Sequence, residues 1–88
     1  MDPDSRNFFQ LKEWWEKYGN KNIEIWRDYF GYVLFCDIEK GRIVARIMNL
    51  GGPWFFKANV PTLPFTKAEE RQINRFVATS NATISGRN

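Results

Sequence analysis

Two stretches dense in β-branched and aromatic side chains, Tyr32 to Glu39 and Arg42 to Asn49, lie on either side of Lys40-Gly41. Such a pair around a short turn commits the middle of the chain to an antiparallel hairpin, and so to a sheet whose apolar face must be covered. Pairing across the turn sets Ile38 opposite Ile43, Cys36 opposite Ala45 and Leu34 opposite Ile47. That register gathers one apolar face, whereas a slip of one residue would bring Arg42 and Arg46 onto it. The other face then carries Val33, Phe35 and Asp37 against Met48, Arg46 and Val44, a mixed surface.

The flanks supply the cover. A first helix is predicted from about Pro3 to Tyr18, with Asp2 or Asp4 as its N-cap and Gly19 just past its end. At 100° per residue Phe8, Leu11, Trp14, Trp15 and Tyr18 share one arc, while Phe9 falls outside it among Lys12, Glu13 and Glu16. Glu13 and Lys17 form a favourably oriented i,i+4 pair on the solvated side. Ile23 to Arg27 alternates weakly and reads as a strand, with a short helix capped by Asn22 as the competing reading.

Leu50-Gly51-Gly52-Pro53 breaks the sheet, and Trp54-Phe55-Phe56-Lys57-Ala58 is either a further edge strand or an aromatic plug over the core. Thr66-Lys67-Ala68-Glu69 is a capping box, so a second helix starts at Lys67 and runs to about Thr79, burying Ile73, Phe76 and Val77. The expected fold is a single small α+β domain over residues 1–79 in the order α-β-β-β-α. In it an antiparallel sheet is packed by an N-terminal and a C-terminal helix, and residues 80–88 follow as a flexible tail.

Missing residues narrow the chemistry. With no histidine among 88 residues, Ser-His-Asp and Cys-His arrangements and a base poised near neutral pH are excluded. One cysteine, Cys36, makes neither an internal disulfide nor a structural zinc site, and reads as a small buried hydrophobe in a reducing cytoplasm. No phosphate-cradling glycine motif is present, so neither a metal nor a cofactor is expected. The start Met1-Asp2-Pro3-Asp4 lacks a signal peptide's basic and apolar regions, and the longest apolar run, Tyr29 to Cys36, is too short to cross a bilayer. Asn81-Ala82-Thr83 reads as a chance glycosylation tripeptide in the tail.

Two groups of residues stand out as candidate sites. The net charge of +3 is unevenly placed: residues 1–40 hold eight acids against six bases, and residues 41–88 seven bases against two acids. Within the basic half Lys67, Arg71 and Arg75 stand four apart on one helical side, where like charges cost helix stability and suit phosphate or an acidic protein surface. The second group is an aromatic and arginine surface: Phe35 with Arg46 on the mixed sheet face, joined by Phe9, Trp54 and Phe55. Most of the fifteen aromatics are expected in the core, with Phe9 and one of Trp54 or Phe55 displayed.

The order helix, three strands, helix is similar to that of the double-stranded RNA-binding domain. Where that family has a lysine-rich helix start, this chain reads Thr66-Lys67-Ala68-Glu69-Glu70-Arg71, with two acids. The residues therefore point first to a non-enzymatic protein-binding module of adaptor or inhibitor type, or to a homodimer, because aromatics and arginine dominate interface hot spots. The alternative is a nucleic-acid binder that sets Lys and Arg on phosphates and stacks aromatics on bases. An enzyme would have only Lys, Tyr and carboxylates to work with.

Overall fold

The computed structural model describes residues 3–85. Helix α1 (Pro3–Tyr18) is followed by strands β1 (Ile23–Arg27), β2 (Val33–Asp37), β3 (Arg42–Met48) and β4 (Phe55–Ala58), and helix α2 (Lys67–Ser85) closes the chain. The strands form one antiparallel meander in the order β1-β2-β3-β4. The architecture is the expected α+β class with one strand more than the α-β-β-β-α order, so the likeness to the RNA-binding domain does not extend to the strand count. The N-cap residue Asp2 lies outside the described residues.

Both helices bury their apolar sides on one face of the sheet. Phe8, Leu11 and Trp15 of α1 and Ile73 and Phe76 of α2 meet Ile23, Ile25, Val33, Phe35, Val44, Ala45 and Ile47. At the centre Trp15, Phe35 and Phe65 stand in mutual contact, their ring centroids 5.4–5.6 Å apart. Tilted and edge-to-face rings of this kind fill space densely, which a small core needs. Gly19 ends α1 where the chain passes so near this cluster that a Cβ would lie 2.6 Å from the Trp15 ring. Tyr18, expected on the buried arc, is exposed at the last residue of α1, where its ring meets Trp14 at 5.8 Å on the side facing α2.

The β2–β3 register corrects the sequence reading. Val33 pairs with Ile47, Leu34 with Arg46 and Phe35 with Ala45, after which the ladder shifts so that Cys36 meets Ile43 and Asp37 meets Arg42. The buried set of β2 is therefore Val33, Phe35 and Asp37, not Leu34, Cys36 and Ile38. Two physical causes act together. A two-residue turn at Lys40-Gly41 would need positive φ at Lys40, whereas Gly41 alone takes it there (φ +61°); the loop is longer and held by the Asp37 carboxylate, which accepts the Lys40 N–H at 3.0 Å. Val44 is also the extra residue of a β-bulge, so Val44 and its neighbour Ala45 both face the core, which no regular ladder allows.

The end of the chain differs from expectation as well. Helix α2 continues to Ser85 rather than stopping near Thr79, because residues past that point have partners. Ser80 is buried, and its Oγ accepts a hydrogen bond from Asn7 Nδ2, which also donates to the Phe76 carbonyl. Asn81 clasps the backbone of Trp54, accepting its N–H at 2.7 Å and donating to its carbonyl at 3.1 Å. Trp54 thus plugs the core at the end of the sheet while Phe55 to Ala58 adds the fourth strand, so both readings of that segment hold, each for a different part.

Candidate functional site

With both helices on one side, the other face of the sheet is uncovered. The registers place Trp26, Leu34, Arg46 and Lys57 in one row across all four strands, with Met48 and Phe55 one step nearer the β1–β2 and β3–β4 loops. Trp26 is 55% exposed, Phe55 is exposed, and Leu34, Arg46 and Met48 are half-buried by their neighbours. The Arg46 Nε is buried in this row with no hydrogen-bond partner among the described residues, so this donor is left unused beside apolar side chains.

The meander carries the β1–β2 and β3–β4 loops to the same end of the sheet, and the first of them is built to display rings. Asp28 organises it. Its carbonyl accepts the Gly31 N–H and its own N–H donates to the Tyr32 carbonyl, both at 3.0 Å, while its Oδ1 accepts the N–H groups of Phe30 and Tyr32 at 2.9 Å. Gly31 closes the turn at φ +81°, a conformation that L side chains rarely adopt. Tyr29 and Phe30 occupy the two positions between, 97% and 72% exposed. Behind them the rings continue inward by contact, Tyr29 to Phe30, Phe30 to Tyr32 and Tyr32 to Trp54, with centroids 5.6–6.0 Å apart. The Tyr32 hydroxyl donates to the Asn49 carbonyl at 2.7 Å, tying this loop to the next, whose Leu50 is also exposed.

The sequence-predicted residues divide. Phe9 and Phe55 are exposed as expected, but Phe35 is 0% exposed at the middle of the core and Trp54 is buried by Asn81 and Tyr32. Phe35 and Arg46 therefore lie on opposite faces and form no stacked pair; Arg46 stands opposite Leu34 instead. Lys67, Arg71 and Arg75 are exposed on α2 and make no ion pair among the described residues. Because α2 packs on the covered face, this stripe and the aromatic row lie on opposite sides of the sheet. Cys36 is half-buried on the uncovered face, where burial first and the Glu24 charge second push its thiol up, away from a reactive thiolate.

Trp26, Tyr29, Phe30 and Leu50 went unmarked in the sequence reading. The signal for two of them is local: Asp28 followed three residues later by Gly31 is a turn pattern, and its middle positions point to solvent whatever occupies them.

Among the described residues no three Cys, Asp or Glu side chains are grouped to hold a metal ion, and no helix is long and apolar enough to cross a membrane. Comparison with family models, with curated proteins and with solved structures returned no match, so no family is assigned to this chain.

Proposed function

We propose that this chain is a non-enzymatic protein-binding module whose aromatic hairpin end enters an apolar cleft on its partner. The carrying observation is the exposure of Tyr29 and Phe30 on a turn fixed by four hydrogen bonds at Asp28, three accepted and one donated. These rings bury little within the chain. Displaying them costs solvation, and holding them rigid removes much of the entropy a partner would have to overcome. Trp26, Met48 and Phe55 extend the same surface, and the half-buried Arg46 guanidinium among them supplies the charged contact that such interfaces favour. A single cysteine supports residence in a reducing compartment, the cytoplasm.

The test is a photo-crosslinking residue at position 30 in the cell that encodes the chain, with a second at position 74 on exposed α2 as comparison. A protein adduct at position 30 that disappears on Tyr29→Ala supports this reading. Adducts only at position 74, or only with nucleic acid, contradict it.

Nucleic-acid binding is the second reading, favoured by one observation: Lys67, Arg71 and Arg75 stand exposed and without an ion pair among the described residues. Their separation from the uncovered face limits them to phosphate contact without stacking on Trp26 or Phe55. Oligonucleotide affinity that falls steeply with salt and is lost in the Arg71→Glu/Arg75→Glu double variant would establish it.

A further inference from the structure

Strand β1 is one edge of the sheet, and its hydrogen bonding leaves both backbone groups of Ile25 without a partner among the described residues. The bond from the Ile38 N–H to the Asn22 carbonyl, 2.9 Å, fixes the alternation along the β1–β2 ladder. Glu24 and Trp26 exchange bonds with Cys36 and Leu34, so the N–H and C=O of Ile25 point away from β2. Neither group has a partner among the described residues, although Ile25 is only 4% exposed. Buried backbone groups are seldom left so.

A groove of about 460 Å³ runs along this edge, bordered by Lys12, Trp15 and Glu16 of α1 and by Ile23, Ile25 and Trp26 of β1. The opposite edge, β4, is shorter and wetter: its outward-directed residues Phe56 and Ala58 are half-buried and exposed, Lys57 between them is exposed, and Pro61 and Pro64 follow. Its groove against α2 is about 200 Å³.

We infer that the β1 groove takes an extended peptide, which adds to the sheet as a fifth strand. The occupant follows from the unmatched groups, because a donor and an acceptor on one residue, directed along the sheet plane, are met together by another strand. In an antiparallel addition the peptide residue opposite Ile25 exchanges both bonds with it and turns its side chain to the same face, toward Trp15, so it should be apolar. The residue after it lies beside Glu24 and should be basic, and the residue before it lies beside the exposed Trp26 and should be aromatic or aliphatic. Trp26 borders both surfaces, but the groove does not include Tyr29 or Phe30, and neither proposal depends on the other.

The probe is the acetylated and amidated heptapeptide Thr-Val-Trp-Val-Lys-Val-Thr, titrated into the full-length chain labelled with nitrogen-15. Saturable amide shifts at Glu24, Ile25 and Trp26 are expected, with exchange of the Ile25 N–H slowed at least about ten-fold. Methylation of the central valine nitrogen should weaken binding roughly five- to ten-fold, because it removes the donor to the Ile25 carbonyl. Glu24→Lys should weaken binding, and replacing the peptide lysine with glutamate should restore it. The Tyr29→Ala/Phe30→Ala variant should bind the peptide unchanged. Absence of saturable shifts up to about 1 mM peptide, shifts centred away from β1, or equal binding of the methylated peptide would overturn the inference. Protection of the Ile25 N–H that rises with protein concentration without peptide would overturn it too, in favour of a second copy of this chain.

Discussion

The carboxylate of Glu69 reaches back 49 residues in sequence: its Oε2 accepts the Asn20 N–H at 2.6 Å, while its Oε1 accepts the Thr66 N–H at 2.8 Å within its own capping box. The same side chain thus caps α2 and holds the loop that leads from α1 into β1. At 2% exposure it is among the most buried polar groups of the chain, and each oxygen has an N–H donor. Glu69→Ala removes both acceptors and leaves two N–H groups unmatched, so a loss of about 2–4 kcal/mol is expected in urea unfolding. Glu69→Gln keeps the shape but turns an amide NH₂ toward one of the donors, and about half that loss is expected.

Asn81 tests the ordering of the last turns of α2. Its side chain meets both backbone groups of Trp54, and Asn81→Ala is expected to cost about 1–2 kcal/mol. Removal of residues 80–88 deletes this clasp and the Asn7 to Ser80 bond together, and should cost more than the point variant. Thermal unfolding followed by tryptophan fluorescence reads both. A truncated chain as stable as the full one would show that the helix beyond Thr79 adds nothing.

Display and scaffold separate at the hairpin end. Tyr29→Ala and Phe30→Ala should each leave stability within about 0.5 kcal/mol, since these rings are exposed. Gly31→Ala should cost about 1 kcal/mol or more, because Gly31 holds φ +81°. Urea midpoints for the three variants check the contrast, and partner binding should be weakened by all three.

Asp37 makes stability depend on acid pH in a set direction. The Lys40 N–H first, and the Asn22 amide second, stabilise the carboxylate and hold its pKa below the ordinary aspartate range. A folded value lower than the unfolded one means that the stabilisation is complete above the ordinary range and drains away as pH falls through the folded value. Wild type should therefore exceed Asp37→Asn in urea midpoint at pH 7, and the difference should shrink as pH falls below the ordinary aspartate range. A difference that stays constant across that range would remove the carboxylate as the cause.

Features set by short-range chemistry could be read directly. The capping box of Thr66 and Glu69, the start of α1 and the exposure of Lys67, Arg71 and Arg75 follow from residue types a few positions apart. The register of β2 could not be read, because Val33 and Phe35 on one face and Leu34 and Cys36 on the other are almost equally apolar, so periodicity alone does not choose between them. What chooses is the Asp37 turn and the Val44 bulge, one a side-chain bond and the other a backbone irregularity. Ser80 and Asn81 read as tail residues because their partners, Asn7 and Trp54, are 73 and 27 positions away. The displayed rings were hidden by the opposite effect: Tyr29 and Phe30 begin an apolar run, and composition alone puts such a run inside.

The meander pairs each strand with its chain neighbour, whereas the bonds that hold the helices reach across 27 to 73 residues. Successive hairpins close short loops, so the sheet should assemble early and quickly, and the chain ends should dock last. The reverse sequence describes opening: α2 releases Asn7, Asn20 and Trp54 as one unit while the central strands stay paired. Native-state hydrogen exchange should accordingly give α2 amides a lower opening free energy than those of β2 and β3, making the C-terminal helix the first cooperative piece of the domain to leave.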